Sequence, residues 1–205
     1  KQERLFYKSK FDGIYEVEEC CFNPKILGEK IREELKDRNI QTFLNTEVFS
    51  VTQKSNNLLK INSYQKGGTA LSFYSNLVYN CSYSGINQLK GDAVGPTIKL
   101  KHEIAEIVFI NSPKELIGYG ITVMDGPFFS ILPTNNKRIH SLSHVRYSPH
   151  LSWHDEKGLD PYNKFNSFKK STRFERMIRS SERYVPGIKK SKYIGSKFEI
   201  KTMLE

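Results

Sequence analysis

The chain has 205 residues, of which 32 are Lys or Arg and 22 are Asp or Glu, so its formal net charge is +10. Hydrophobic residues make up 38% of it, and no window approaches the roughly 20 consecutive apolar residues that a membrane-spanning helix needs. With 13 Phe and 11 Tyr spread along the chain, disorder is excluded as well, because disordered segments are poor in aromatic residues. These numbers predict a folded, soluble protein.

The three cysteines, Cys20, Cys21 and Cys81, are too few for a disulfide framework, and no secretory signal is recognisable. We therefore expect a reducing, cytoplasmic location. Cys20 and Cys21 are interpreted as half-buried strand residues, because the carboxylates of Glu18 and Glu19 beside them disfavour a reactive thiolate. Since the first residue is Lys and the last residues alternate like a strand, we expect a piece of a longer polypeptide.

Local signals in the first third of the chain predict a helix, a strand and a β-meander, in that order. Asn23 and Pro24 are an N-cap and a first-turn proline, Leu27 and Ile31 continue a 3.6-residue period, and Asn39 suits the left-handed position that closes a helix. Alternating and β-branched residues then predict strands over residues 40–53, 58–61 and 70–74.

The middle of the chain is predicted to be almost entirely β-structure. Residues 77–81 form a short apolar segment that predicts a strand, followed by a polar loop at 82–85. Further strands are predicted over residues 103–110, 121–124, 128–132 and 139–147, with one of the turns at 125–127. Because short turns separate these strands, we expect them to pair antiparallel.

The basic character of the chain is concentrated in residues 161–205, which hold 12 Lys or Arg and 4 Asp or Glu, a net charge of +8. Apolar residues at near-helical spacing predict one helix over residues 165–184 that ends before Pro186 and Gly187. We interpret the basic residues as its solvated face; the open alternative is a surface for an anionic partner.

No motif taken alone identifies a reaction. The spacing of His140 with His144, and of His150 with His154, invites a metal site. In a strand, however, such residues stand roughly 13 Å apart, too far to share one ion, so we expect no metal. The chain also lacks a Gly-x-Ser-x-Gly elbow and a Gly-x-Gly-x-x-Gly fingerprint.

The succession of elements carries more information. The helix ending at residues 33–40, the strand Asn-Thr-Glu-Val-Phe-Ser-Val at 45–51, the meander and the segment Leu-Val-Tyr-Asn-Cys-Ser at 77–82 resemble the middle of FAD-dependent oxidoreductases of the D-amino-acid oxidase, glycine oxidase and sarcosine oxidase family. In that family an antiparallel substrate-domain sheet follows, as predicted here over residues 98–148. The resemblance covers roughly residues 14–150.

By this resemblance, the backbone at Val48 would contact the adenine ring of FAD, and Asn80, Cys81 and Ser82 would lie against its phosphates and ribose. Tyr83 occupies the position of a glycine in the family. The dinucleotide-binding strand-turn-helix of the family lies outside these residues, so we expect the full-length protein to bind FAD and this chain alone to bind it poorly or not at all.

The resemblance also implies transfer of a hydride from an amine or hydroxy-acid substrate to the flavin. A substrate carboxylate would favour a bidentate arginine, and Arg146 is our candidate, with His140 and His144 on the same strand face if residues 139–147 are extended. The alternative interpretation is that these three are surface polar residues of the sheet.

We therefore predict an α+β protein with an antiparallel substrate-domain sheet and a helix and β-meander from an FAD-binding domain. The expected domains are residues 14–95 (partial FAD-binding domain), 96–160 (substrate-domain sheet) and 161–205 (basic helix and final strand). The expected partner is a small-molecule substrate, with no membrane and no nucleic acid. The alternative function is a non-catalytic basic module that binds nucleic acid or another polyanion through residues 164–201.

Overall fold

A computed structural model describes residues 2–126 and 128–205. The chain divides into two compact units, each assembled from separate segments. The first unit contains the residues up to Arg32, Ile104–Leu151 and Lys169–Glu199, and the second contains Glu33–Glu103, Ser152–Phe168 and Ile200–Glu205. The α+β class is confirmed, whereas the predicted domain boundaries stay predictions.

Helix α1 spans Pro24–Asp37 and has the predicted signals at both ends. The side chain of Asn23 accepts a hydrogen bond from the backbone N–H of Lys25 at 2.9 Å, and Asn39 has the expected left-handed backbone, with a φ of 54°. None of its side chains is buried. The local sequence is therefore sufficient to set the limits of this helix.

The second unit is built on an antiparallel three-stranded meander in the order β1-β2-β3. These strands are Thr46–Ser55 (β1), Leu58–Gln65 (β2) and Thr69–Ser75 (β3). Val51 and Ile61 face each other across β1 and β2 and are buried. The predicted meander is thus confirmed, except that its first strand begins at Thr46 and residues 40–45 form no strand.

A six-stranded antiparallel sheet has the order β5-β6-β7-β4-β8, with β9 also paired to β4. Its strands are Leu100–Asn111 (β4), Ile121–Val123 (β5), Phe129–Pro133 (β6), Ile139–His144 (β7), Pro149–His154 (β8) and Lys192–Leu204 (β9). At the turn predicted over 125–127, Asp125 and Gly126 have left-handed backbones, and Pro127 lies outside the described residues.

The hydrophobic core of the first unit lies against one face of this sheet. Phe129, Ile131 and Leu142 are fully buried there, and Met177 and Ile178 pack on them from helix α3, Phe174–Ser181. Side chains at alternate positions of each strand enter this core, as the period-2 pattern predicts.

The single helix predicted over 165–184 is instead two short helices, α2 at Pro161–Ser167 and α3. Residues 168–173 between them are extended or irregular. Met177 and Ile178 are buried while Arg176 and Arg179 are exposed, so within α3 the interpretation of a solvated basic face holds.

Two other sequence expectations are wrong. Residues 77–81 form no strand, and residues 11–23, which include Cys20 and Cys21, have no regular structure, with both cysteines exposed rather than half-buried. Among the described residues, no helix combines the length and the apolar character required to cross a bilayer.

Candidate functional site

The segment that the resemblance places beside a cofactor, residues 77–82, has no regular secondary structure and no strand partner among the described residues. Within the described residues, the backbone N–H groups of Val78, Tyr79 and Cys81 donate no hydrogen bond to another backbone group. Tyr79 and Cys81 are exposed. Unpaired backbone donors at an exposed position are available to phosphate or hydroxyl oxygens of a ligand.

Asn80 organises this segment through its side-chain amide. The Nδ2 group donates to the carbonyl oxygen of Ile86 at 2.9 Å, and Oδ1 accepts from the backbone N–H and the hydroxyl of Ser82 at 3.2 and 2.6 Å. Two of the predicted cofactor-binding residues, Asn80 and Ser82, are therefore in contact. The Asn80 side chain also links residue 80 to residue 86 of the following loop.

Tyr83 follows with a left-handed backbone, φ 51°, at the start of a short 3-10 helix, Tyr83–Gly85. A left-handed backbone is uncommon for a residue with a Cβ atom and favours glycine. The tyrosine thus adopts the conformation that suits the glycine of the resembled family. Its phenolic oxygen accepts the backbone N–H of Thr202 at 2.9 Å.

Asp155 receives hydrogen bonds from three side chains, and we call Asp155 with these partners the Asp155 network. Oδ2 accepts from Asn87 Nδ2 at 2.6 Å, and Oδ1 accepts from Gln88 Nε2 at 3.2 Å and lies 2.8 Å from His102 Nε2. The side chains of His102 and Asp155 are 0% and 4% exposed. The carboxylate is buried but fully hydrogen-bonded, as burial of a charge requires.

Thr202, on β9, extends the Asp155 network from the other ring nitrogen of the histidine. Its Oγ1 lies 2.9 Å from His102 Nδ1 and donates to Ser84 Oγ at 2.9 Å. Ser84 is fully buried. Because its backbone N–H also donates to the Tyr83 hydroxyl, Thr202 forms hydrogen bonds with three residues: Tyr83, Ser84 and His102.

Val48, the remaining predicted cofactor position, lies on β1 opposite Ser63 at an irregularity in the register between Val48 and Ser50. Its side chain is partly exposed. Two residues further along β1, Ser50 forms a parallel bridge with Lys90. The structure places Val48 on the meander and does not join it to Asn80 by a hydrogen bond.

His140 and His144 lie on the same face of β7, as predicted, but both are buried, so the alternative interpretation as surface residues is wrong. His144 Nδ1 accepts the backbone N–H of Arg146 at 3.1 Å. That bond leaves the proton of a neutral ring on Nε2, which lies 3.0 Å from Ser180 Oγ. His144 is therefore fixed in one tautomer.

Burial lowers the pKa of both histidines. For His144 the nearby charge of Arg146 lowers the pKa further, whereas for His140 backbone groups of Tyr119 and Leu116 offset part of the effect. Neither ring nitrogen of His140 has a partner with hydrogen-bond geometry. Burial therefore favours the neutral form of both rings.

Arg146 does not share a strand face with these histidines, because β7 ends at His144 and Arg146 lies exposed in the following turn. The prediction that Arg146 lies on an extended strand with these histidines is therefore wrong. The guanidinium is nevertheless accessible, and the turn that carries it is attached to His144 through the backbone bond described above. The substrate-binding role of Arg146, His140 and His144 stays a prediction.

A second buried carboxylate, Glu106, was not anticipated from the sequence. Its oxygens accept hydrogen bonds from Thr172, Ser196 and the backbone N–H of Arg173, and lie 2.9 Å from His150 Nε2. Burial alone would raise its pKa, but these hydrogen bonds together hold the pKa below its ordinary value. The bonds also explain why residues 172–173 are not helical.

The missed residues did leave a signal in the sequence. Leu100, Ile104, Val108 and Ile110 are the inward positions of β4, and the residues between them in the same phase are His102 and Glu106. A charged or titratable residue in the apolar phase of an alternating strand indicates a buried polar site. The hydrogen-bond partners of such a residue come from distant segments of the chain, so the local sequence does not identify them.

Comparison with known structures identifies the fold. The chain aligns with a flavoprotein/dehydrogenase from Cytophaga hutchinsonii at a TM-score of 0.51 and 10% identity, covering 85% of this chain and 40% of that chain. The chain therefore shares its fold with part of that structure. The chain spans less than half the length of that structure.

Two further structures align less closely. Glycine oxidase from Geobacillus kaustophilus has a TM-score of 0.47 and 16% identity, over 78% of this chain and 37% of that chain. CabE, an aromatic hydroxylase from angucycline biosynthesis, has a TM-score of 0.49 and 13% identity, over 88% of this chain and 34% of that chain. No protein-family model matches the chain, and no curated protein matches it.

Proposed function

We propose that this chain is part of an FAD-dependent oxidoreductase that removes a hydride from an amine, amino-acid-like or hydroxy-acid substrate. The observation that carries the proposal is the alignment with a flavoprotein/dehydrogenase over 85% of the chain. Since fold alone does not define an activity, the loop and the turn described above must also suit the proposed ligands.

The segment at residues 80–82 fits a dinucleotide cofactor. Asn80, Cys81 and Ser82 stand on a segment with unpaired backbone donors, held in place by the Asn80 side chain. These residues would hold the phosphate and ribose part, and the backbone at Val48 would lie near the adenine. When bound, the flavin would supply the electron acceptor for hydride transfer.

The role of this chain toward the substrate would be recognition of charge. Arg146 presents an exposed guanidinium, which binds a carboxylate with two parallel hydrogen bonds. His144 would act as a positioning residue, because its Nδ1 accepts the backbone N–H of Arg146 and so fixes the turn. His140 lies on β7 and is fully buried, and we propose no direct substrate contact for it.

The cofactor proposal is tested on the full-length gene product purified without denaturation. We expect the visible absorption bands of a bound flavin, or their appearance with quenched flavin fluorescence when FAD is added. A preparation that neither carries flavin nor takes it up would refute the proposal.

The substrate proposal is tested by anaerobic bleaching of the flavin with a panel of amino acids, N-methyl amino acids and 2-hydroxy acids. Replacing Arg146 by Met should raise KM for a carboxylate substrate by roughly 100-fold, since a charge-assisted bidentate pair contributes about 3 kcal/mol. Arg138→Met, at the start of β7, is the matched control and should change neither KM nor kcat. An unchanged KM in Arg146→Met would remove the arginine from the substrate site.

A polyanion-binding surface is the second candidate, favoured by the exposed Arg176 and Arg179 of α3 and by the net charge of +8 over residues 161–205. Such binding should weaken steeply as salt rises, because each neutralised phosphate releases counterions. A nucleic-acid shift assay at low salt tests it, and absence of binding there rejects it.

A further inference from the structure

Four side chains of the loop Tyr83–Gln88 form hydrogen bonds with residues outside it. Tyr83 and Ser84 are bound by Thr202, and Asn87 and Gln88 are bound by Asp155. By contrast, Cys81 and Ser82, immediately before the loop, are exposed. None of these four hydrogen bonds involves Cys81 or Ser82.

His102 joins the two sets of attachments into one connected chain of hydrogen bonds. Its Nε2 lies 2.8 Å from Asp155 Oδ1 and its Nδ1 lies 2.9 Å from Thr202 Oγ1. Trp153 covers the ring, with ring centroids 5.4 Å apart. Because a buried, fully bonded network has one favourable arrangement, it specifies one position for the loop.

We infer that the Asp155 network, with Thr202, is a positioning device that holds the loop Tyr83–Gln88 in the shape required for cofactor binding. This inference rests on the proposed function, because it assigns the network to a loop that faces FAD. None of its members has to contact the cofactor. Their effect passes through Asn80, whose amide bonds the carbonyl oxygen of Ile86 within the same loop.

The hydroxyl of Thr202 is the most informative atom to remove. Thr202 lies near the end of β9, where valine has equal shape and an equally good strand propensity and keeps the backbone N–H that donates to Tyr83. Thr202→Val therefore removes the link between His102 and Ser84 and leaves the strand intact. Thr202→Ser keeps the hydroxyl and is the matched rescue variant.

Binding of FAD by the full-length protein is measured by titration, together with amide hydrogen exchange. Thr202→Val loses the two hydrogen bonds of the Thr202 hydroxyl. We therefore expect about a tenfold weaker FAD affinity and about tenfold faster exchange in residues 83–88. Thr202→Ser should stay within about twofold of the wild type. Exchange in the meander, residues 46–65, should not change in either variant.

Tyr83→Phe provides a second and independent variant, because the side chain is more than half exposed and its loss of a hydroxyl does not threaten folding. It removes the acceptor of the Thr202 N–H and should weaken FAD binding by roughly threefold. Tyr74→Phe, an exposed hydroxyl on β3 of the same unit, is its control and should bind FAD as the wild type does.

Wild-type affinity and wild-type loop exchange in Thr202→Val would overturn the inference. So would faster exchange spread equally over the meander, because that result indicates general destabilisation. If the wild type binds no FAD, the proposed function fails, yet the exchange measurement still decides whether the network holds the loop. Faster exchange confined to residues 83–88 would then support the positioning device, and unchanged exchange would reject it.

Discussion

The two units each bury one carboxylate against a histidine, but the two carboxylates organise different parts of the chain. Glu106, in the first unit, binds the backbone and side chains of the segment that precedes α3. Asp155, in the second unit, binds the side chains of a loop next to the predicted cofactor-facing residues. Both charges are compensated mainly by neutral donors rather than by Lys or Arg.

From this difference we expect the Glu106 arrangement to serve folding and the Asp155 arrangement to hold a loop. Around Glu106 the partners are fixed to strand and helix ends, so its loss should affect the first unit as a whole. Around Asp155 the partners Asn87 and Gln88 lie in the turn that follows the short 3-10 helix Tyr83–Gly85. Its loss should therefore be felt locally, at the loop.

The largest effect is expected from Glu106→Leu. Removal of the carboxylate leaves His150, Thr172 and the backbone N–H of Arg173 without their buried acceptor, which should reduce the free energy of unfolding by about 4 kcal/mol. Urea unfolding measures this loss. Glu115→Gln, which breaks an exposed pair with Lys190, is the control and should leave the urea midpoint unchanged.

Asp155→Leu should have a smaller effect on stability, about 3 kcal/mol, since three side-chain donors lose a buried acceptor. Hydrogen exchange should accelerate most in residues 83–88. Exchange that accelerates equally in β6 and β7, in the first unit, would contradict the contrast drawn between the two carboxylates.

Ser196→Ala should destabilise the protein by about 1.5 kcal/mol, because a hydrogen bond to a charged group is lost. The same change should raise the pKa of Glu106, whose pKa the serine helps to lower. A carboxyl with a lowered folded-state pKa contributes stability above its unfolded pKa and loses it as pH falls through the folded pKa. Acid unfolding should therefore begin at a higher pH in the variant, which circular dichroism can follow.

The smallest change is expected from mild acidification of the wild type. Because the pKa values of His140 and His144 are lowered, these two rings take up protons near pH 6.5 more readily in the unfolded chain than in the folded protein. The melting temperature should be constant above that pH and decline below it. In His140→Leu the melting temperature should fall less steeply with decreasing pH. An equally steep fall would show that His140 does not contribute to the pH dependence.

The features that the sequence predicted correctly depend on short stretches of chain. Asn23, Pro24 and Asn39 set the limits of α1 by local hydrogen bonding and backbone preference. The meander and the antiparallel sheet follow from alternation and short turns. Each of these signals lies within a few residues of the structure that it specifies.

The errors arose where a distant residue decides the conformation. Residues 77–81 have the composition of a strand, but a strand also needs a hydrogen-bonded neighbour, and none of the described segments pairs with them. Glu106, 66 residues away in sequence, binds Thr172 in the stretch between α2 and α3 where one helix was predicted. The Asp155 network was missed for the same reason, since His102 and Asp155 meet only in the fold.

The left-handed backbone at Tyr83 has a consequence for the unfolded chain. Glycine would adopt this φ without strain, but it would also give the unfolded chain more conformations to lose on folding. Tyrosine restricts those conformations and strains the folded backbone by about 1 kcal/mol or more, which the hydrogen bond to Thr202 helps to offset. The loop therefore reaches its shape through a side-chain attachment rather than through backbone freedom, and its order is linked to the final strand of the chain.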